Sequence, residues 1–228
     1  MQNRSLSPVF LFLCVLFCTC LVLSNLLASK IFILAGAALP AAVLVFPVSY
    51  IINDVVTEVW GFRRARLVIW LGFGMNFFVA AAGQIAAWLP PAPFWNGAEH
   101  FNYVFGLAPR IALASFAAFL TGAFVNAYVM SRMKLSSCGR RFWLRAVLST
   151  VAGEGVDSLV FFPLAFWGML APGDILPMML AQVSVKTLYE IAVLPLTTRA
   201  VRIVKSWEGA DVYDRGVSYS IWRVGDLG

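Results

Sequence analysis

Five carboxylates and one amine stand in stretches that are otherwise apolar: Asp54, Glu58, Glu154, Asp157, Glu190 and Lys186, with Asn53 beside the first. Asp54 and Glu58 are four residues apart, Glu154 and Asp157 three, and Lys186 and Glu190 four. Each pair therefore shares one face of a helix. Facing lipid, the six charges would cost on the order of 15–20 kcal/mol, at about 2.5–3.5 kcal/mol each. They must face a polar cavity or one another. Carboxylates in such a cavity accept N–H groups two at a time or hold a cation. The chemistry they suit is binding a small polar molecule inside a bilayer.

Depth supports one shared site. At 1.5 Å per residue, Asp54 lies about 10 Å from the end of its segment at Gly61. Glu154 and Asp157 lie a similar distance inside theirs. Glu190 comes nine residues before Arg199, and Lys186 is one turn closer to the midplane. Asp54, Glu154 and Asp157 have no basic neighbour in their own segments and are expected to line the cavity. Glu58 is close enough to Arg63 and Arg64 to be an interface anchor instead, and Lys186 and Glu190 could staple one helix as an ion pair. Asn25, with Lys30 closing the same helix, is expected to join the cavity. Asn76 reads as an amide gluing two helices. Pro47, Pro163 and Pro195 lie near the charges, where kinked helices line transporter sites.

The elements that must position these groups follow from composition. Of 228 residues 61% are apolar and 12% are charged, against about 45–50% and about 25% in soluble domains. This excludes a disulfide scaffold, a disordered chain, a coiled coil and an ordinary cytosolic enzyme. Stretches of about 20 apolar residues occur at 8–29, 41–60, 67–89, 110–130, 147–170 and 176–198. The expected fold is all-α: a polytopic membrane protein with six transmembrane helices spanning residues 1–205, then a short tail at 206–228. The first span is too long for the apolar core of a signal peptide.

Positive charge sets the orientation. Arg63, Arg64 and Arg66, then Arg132, Lys134, Arg140, Arg141 and Arg145, then Arg199, Arg202 and Lys205 fall on alternate sides of the spans from Lys30 and Arg110, and Arg4 precedes the first span. The basic side is cytoplasmic, which predicts both termini inside. The net charge of +6 thus reports orientation in a lipid bilayer and needs no nucleic-acid partner. Trp60, Trp143 and Trp207 are expected at the inner interface, and Trp88, Trp95 and Trp167 at the outer. The proline-rich external segment 90–109 is expected at the outer mouth. Cys14, Cys18 and Cys20 act as small hydrophobes in the first span, and Cys138 sits in a reducing loop. With a single histidine, His100, no metal, disulfide or cofactor is expected.

Several blocks resemble one family. Ser24-Asn25 with Lys30, Phe46-Pro47, Asn53-Asp54-Val55-Val56-Thr57-Glu58-Val59-Trp60-Gly61, the stretch Pro109–Ser115, Gly153-Glu154-Gly155-Val156-Asp157-Ser158, and Lys186-Thr187-Leu188-Tyr189-Glu190 with Pro195 are similar to the signature of the queuosine precursor transporters (YhhQ-type, the vitamin uptake transporter family). The resemblance covers roughly residues 20–205. It implies uptake of 7-cyano-7-deazaguanine and 7-aminomethyl-7-deazaguanine across a bacterial inner membrane, and a relation to the substrate-binding components of energy-coupling-factor importers. The residue chemistry suits such a ligand. A carboxylate can accept the ring N–H and exocyclic amine of the guanine edge together, and flat bases stack on aromatic faces. Glu154 or Asp157 is expected to read that edge, with Asp54 and Asn53 opposite. Lys186 would hold Glu190 or the carbonyl oxygen. Phe46, Phe161, Phe162 and Tyr189 are within reach of the acids.

The expected mechanism is alternating access through the acidic cavity. No phosphate-binding G-x-x-x-x-G-K-[ST] motif is present, so the chain is not expected to hydrolyse ATP. A homo-oligomer and a separate energising subunit both stay open. The alternative is a carrier for another small vitamin or nucleobase. A membrane-embedded enzyme is disfavoured: Gly153-Glu154-Gly155-Val156-Asp157 only loosely follows the Gly-x-Gly-Asp pattern of aspartyl proteases, and the only Tyr-Asp pair, Tyr213-Asp214, lies in the tail.

Overall fold

The computed structural model describes residues 7–27, 29–34, 37–105, 109–166 and 172–223. Among these residues, six helices are long and apolar enough to cross a membrane. Helix α1 (Pro8–Leu27) is followed by a hairpin of strands β1 (Ile31–Leu34) and β2 (Ala37–Pro40), antiparallel with Ile31 opposite Pro40. A 3₁₀ turn (Ala41–Leu44) then leads into α2 (Phe46–Trp60), α3 (Phe62–Trp88), the short α4 (Ala98–Phe105), α5 (Pro109–Ser136), α6 (Phe142–Phe166) and α7 (Pro172–Glu208).

Several helices run past the apolar stretches read from sequence. Arg63, Arg64 and Arg66 belong to the first turns of α3, Arg132 and Lys134 to the last turns of α5, and Arg145 to the start of α6. Long basic side chains keep their stems on apolar surface while the charge reaches water, so a helix continues through them. The break between α2 and α3 is one residue, Gly61, at φ +81°. A Cβ there would lie 2.6 Å from Asp214 Oδ1. Pro47 is in the first turn of α2, where proline starts a helix without kinking it. Pro163 and Pro195 do lie inside helices.

Helix α2 is the centre of the bundle. It packs on α1, α3, α5 and α7, and every residue from Ile52 to Trp60 is buried. Val55, Val56 and Val59 meet Phe10, Phe17, Phe62, Val68, Ile69 and Phe119 in the apolar core. Trp60 is part of that core, edge-on to Phe10 at 5.2 Å, and is not an interfacial residue. Trp88, Trp95, Trp143 and Trp207 are exposed as a belt requires. Trp167 and Arg4 lie outside the described residues.

Helices α5 and α6 form the closest pair. A Cβ on Gly122 would come within 2.9 Å of the Gly153 carbonyl oxygen, and one on Gly153 within 2.8 Å of the Gly122 carbonyl oxygen. Only small residues allow such approach in a membrane bundle. The segment after α7 folds back onto the basic end. Asp214 accepts the Phe62 N–H through both oxygens, at 3.1 and 2.9 Å, and the Ser131 hydroxyl. Arg66 donates to the Ser220 carbonyl at 2.6 Å, and Trp70 Nε1 to Ile221 at 2.8 Å.

Candidate functional site

Sequence places Tyr50, Asn53 and Asp54 on one face of α2, because residues three and four apart align. The same rule aligns Thr150, Glu154, Asp157 and Ser158 on α6, and Lys186 and Glu190 on α7. Asn126 is on α5. The fold turns these faces toward one another. Asp54 and Glu154 are each 1% exposed, Glu190 4% and Asp157 5%.

The buried acids fall into two groups. In the first, Lys186 Nζ lies 2.6 Å from Glu154 Oε2 and 3.6 Å from Asp157 Oδ2, and 4.2 Å above the Phe46 ring. One cation thus bridges two carboxylates and rests on an aromatic face. In the second, Asn126 Nδ2 donates to Asp54 Oδ1 at 2.7 Å, and Glu190 lies beside Asp54 and the Thr150 hydroxyl. Asn53 Nδ2 donates to the Ala123 carbonyl at 3.3 Å. The Tyr50 hydroxyl, among all four acids, has no hydrogen-bond partner among the described residues.

The expected pairing of Lys186 with Glu190 is corrected: the ammonium points across to α6 instead of along α7, where two carboxylates offer more than one. Glu58 is also placed differently. It lies one turn beyond Asp54, outside this group, inside a cage of cations. Arg145 takes both of its oxygens in a fork, with Nη2 to Oε1 at 3.0 Å. Lys205 Nζ lies 2.7 Å from Oε1 and Lys134 Nζ 3.9 Å. Arg145 and Lys205, not Arg63 and Arg64, hold it. Asp211 joins the cage at 2.6 Å from Lys134 and 2.9 Å from Lys205. Burial pushes the Asp211 carboxyl up, but hydrogen bonds from those two lysines outweigh it and hold it below the usual range. The cage ties the basic ends of α2, α5, α6 and α7 together.

Asn25 and Lys30 do not join the acids. Asn25 Nδ2 donates to Asn76 Oδ1 at 2.7 Å, and both line a separate cavity of about 260 Å³ with Gln84, Phe77, Phe105 and Phe116. Lys30 is exposed beyond the end of α1. Phe161 stands edge-on to Phe162 at 5.4 Å, and Tyr189 is half-buried beside Glu190. The side chain of Arg110 and residues 106–108 of the proline-rich segment lie outside the described residues. Among the described residues no three His, Cys, Asp or Glu side chains are grouped to hold a metal.

Sequence reasoning missed Tyr50, Thr150 and Ser158 in this arrangement. The signal was their helical spacing from Asp54, Glu154 and Asp157, since an uncharged hydroxyl alone does not stand out from an apolar run.

Among the described residues, six membrane-length helices enclose a buried group of acids, two of them bridged by Lys186, which is the build of a multi-pass membrane protein. Residues 40–200 match the family described as "Putative vitamin uptake transporter", and the chain belongs to that family. The matched stretch contains every acid of the site. Among curated proteins, the chain is 27% identical over 189 residues to the "Probable queuosine precursor transporter" of Bacillus subtilis (strain 168), covering 82% of each chain. It is 30% identical over 129 residues to the "Queuosine precursor transporter" of Escherichia coli (strain K12), covering 54% of this chain and 52% of that one. A Haemophilus influenzae protein named "Probable queuosine precursor transporter" is 26% identical over 129 residues, 57% of this chain and 52% of its own. No solved structure matches the chain. The family is one of transporters, and the chain is a transporter, not an enzyme.

Proposed function

We propose that the chain imports the deazaguanine precursors of queuosine, 7-cyano-7-deazaguanine and 7-aminomethyl-7-deazaguanine, across a bacterial inner membrane. The observation that carries this reading is the Glu154–Lys186–Asp157 group beside Phe46, in a chain similar to queuosine precursor transporters along most of its length. Asp157, the more loosely held of the two acids, reads the N–H edge of the base. Glu154 fixes Lys186, and Phe46 offers a ring to a flat ligand.

Transport proceeds by alternating access. The basic end that carries the Glu58 cage faces the cytoplasm, and both ends of the chain lie on that side. The cage and the segment 209–223 packed on it close the inner route. The segment around α4 lies at the outer mouth.

The test is a feeding assay in a bacterium unable to make or import queuosine precursors. With a trace of 7-cyano-7-deazaguanine supplied, queuosine should appear in tRNA only when the protein is present. Asp157→Asn should cut uptake sharply at equal membrane abundance. Normal uptake by that variant removes Asp157 from the site. No queuosine, with the protein in the membrane, points to another small vitamin or base, or to a missing energising subunit.

A further inference from the structure

We infer that the Tyr50 hydroxyl binds the transported molecule, donating a hydrogen bond to a carbonyl oxygen on its ring while the neighbouring carboxylates take the adjacent N–H groups. This rests on the reading that a guanine-like base is the ligand, and it adds a residue that decides which bases are accepted.

Tyr50 is 4% exposed, and its ring fills a slot between α5 and α6. A Cβ on Gly122 would lie 2.8 Å from Tyr50 Oη and 2.9 Å from Asp157 Cβ, and one on Gly153 would lie 3.2 Å from Tyr50 Cε1. The two glycines that let α5 and α6 touch also admit this phenol and bring its hydroxyl against Asp157. On its other side the ring meets Phe46 at 5.5 Å between centroids, and Phe46 carries Lys186 at 4.2 Å. Tyr50 is therefore built into the same wall as the ion group. For packing alone, phenylalanine would fill the slot without burying an oxygen.

The donors around the acids narrow the choice. Lys186 is engaged by Glu154 and Asp157. The Asn126 amide is engaged by Asp54, and the Asn53 amide by Ala123. The hydroxyls of Thr150, Ser158 and Thr187 also lack partners among the described residues. Each can rotate onto a carbonyl one turn back in its own helix. Tyr50 Oη, at the end of a rigid ring, cannot reach its own backbone. It is the donor whose hydrogen bond must come from elsewhere. The edge of a guanine presents a carbonyl oxygen beside a ring N–H and an amine, which is one acceptor next to two donors. A phenol beside a carboxylate is the complement of that edge.

The test is uptake of labelled 7-cyano-7-deazaguanine competed by its 6-thioxo analogue, which keeps the N–H groups and replaces the carbonyl oxygen with a poorer acceptor. The wild type should prefer the oxo form by about tenfold. Tyr50→Phe should raise KM for the oxo form about tenfold and bring the preference to within about twofold, with thermal stability unchanged or raised. The preference is a ratio, so it does not depend on how much protein reaches the membrane. If Tyr50→Phe keeps the preference, or weakens both forms equally as a structural role would, the assignment is overturned. If the wild type takes up neither form, the guanine reading itself falls and the assignment with it.

Discussion

Lys186 and Glu154 are 2.6 Å apart, one on α7 and the other on α6, 32 residues apart in sequence. That contact joins α6 to α7 inside the bilayer, and Asp157 shares the same ammonium at 3.6 Å. Replacing Lys186 with Met should leave two carboxylates without a counter-ion. Removing one partner of a buried pair costs about 3–5 kcal/mol, so the thermal midpoint of the detergent-purified protein should fall clearly. Adding Glu154→Gln should recover part of the loss without recovering uptake. A single variant as stable as wild type is the result that contradicts this.

Glu58 and Arg145 should be strongly coupled. Both are 1% exposed and joined by a two-pronged contact. Glu58→Gln and Arg145→Met are each expected to destabilise by about 3–5 kcal/mol. The double variant should fall short of their sum by 0.5–3 kcal/mol, roughly the range for contacting residues. Additive losses in a double-mutant cycle would separate the two residues energetically.

Gly153→Ala tests the α5–α6 seam. Its Cβ would meet the Gly122 carbonyl oxygen at 2.8 Å and Asn126 Cβ at 2.9 Å, and backbone cannot step aside cheaply. Overpacking of this kind costs about 1–3 kcal/mol. Uptake should fall as well, because Tyr50 and Asp157 are displaced with the helix. Gly155→Ala is the control, since nothing lies within 4 Å of its Cβ position; it should leave stability and uptake near wild type.

The Asp211 carboxyl is held low in the folded chain by Lys134 and Lys205 against the effect of burial. A depressed carboxylate contributes stability above its unfolded value, about 3.9, and loses it as pH falls through the folded value. The stability difference between wild type and Asp211→Asn should therefore be steady at neutral pH and shrink only below about pH 4. A difference that disappears between pH 6 and 8 would assign it to another group.

Orientation has a native probe. Cys138 is exposed in the turn between α5 and α6, whereas Cys14, Cys18 and Cys20 are buried or half-buried on α1. A membrane-impermeant maleimide should label Cys138 in inside-out vesicles and spare it in intact spheroplasts. Labelling in spheroplasts reverses the orientation.

The six spans and the acids within them were legible from sequence, because a charge in a 20-residue apolar run violates the solvent rule of the bilayer wherever the helix packs. Depth, which follows from rise per residue alone, put Asp54, Glu58, Glu154, Asp157, Lys186 and Glu190 in one group; the fold gathers the others but sets Glu58 apart in its own cage of cations. Partnership was not legible in the same way. Lys186 lies one turn from Glu190 on the same helix, yet pairs with α6. Glu58 lies five residues before Arg63, yet is held by Arg145 and Lys205. Asn25 was expected to join the acids and opens on a different cavity near the C-terminal end of α1. The segment after α7 has no apolar run to announce it, and its contacts run mostly through backbone carbonyls and two carboxylates, Asp211 and Asp214.

Composition, hydropathy and the spread of Lys and Arg determined a six-helix membrane protein with acids at one depth, because each depends on the chain's solvent and on position along an axis. Which charge meets which, and which hydroxyl is left without a partner, depended on how each helix is rotated about that axis. The tertiary structure decided that rotation through close packing: Gly122 against Gly153 sets the facing of α5 and α6, and the slot they leave holds Tyr50. Local sequence carries the period of a helix but not its neighbour, and the site is made of neighbours.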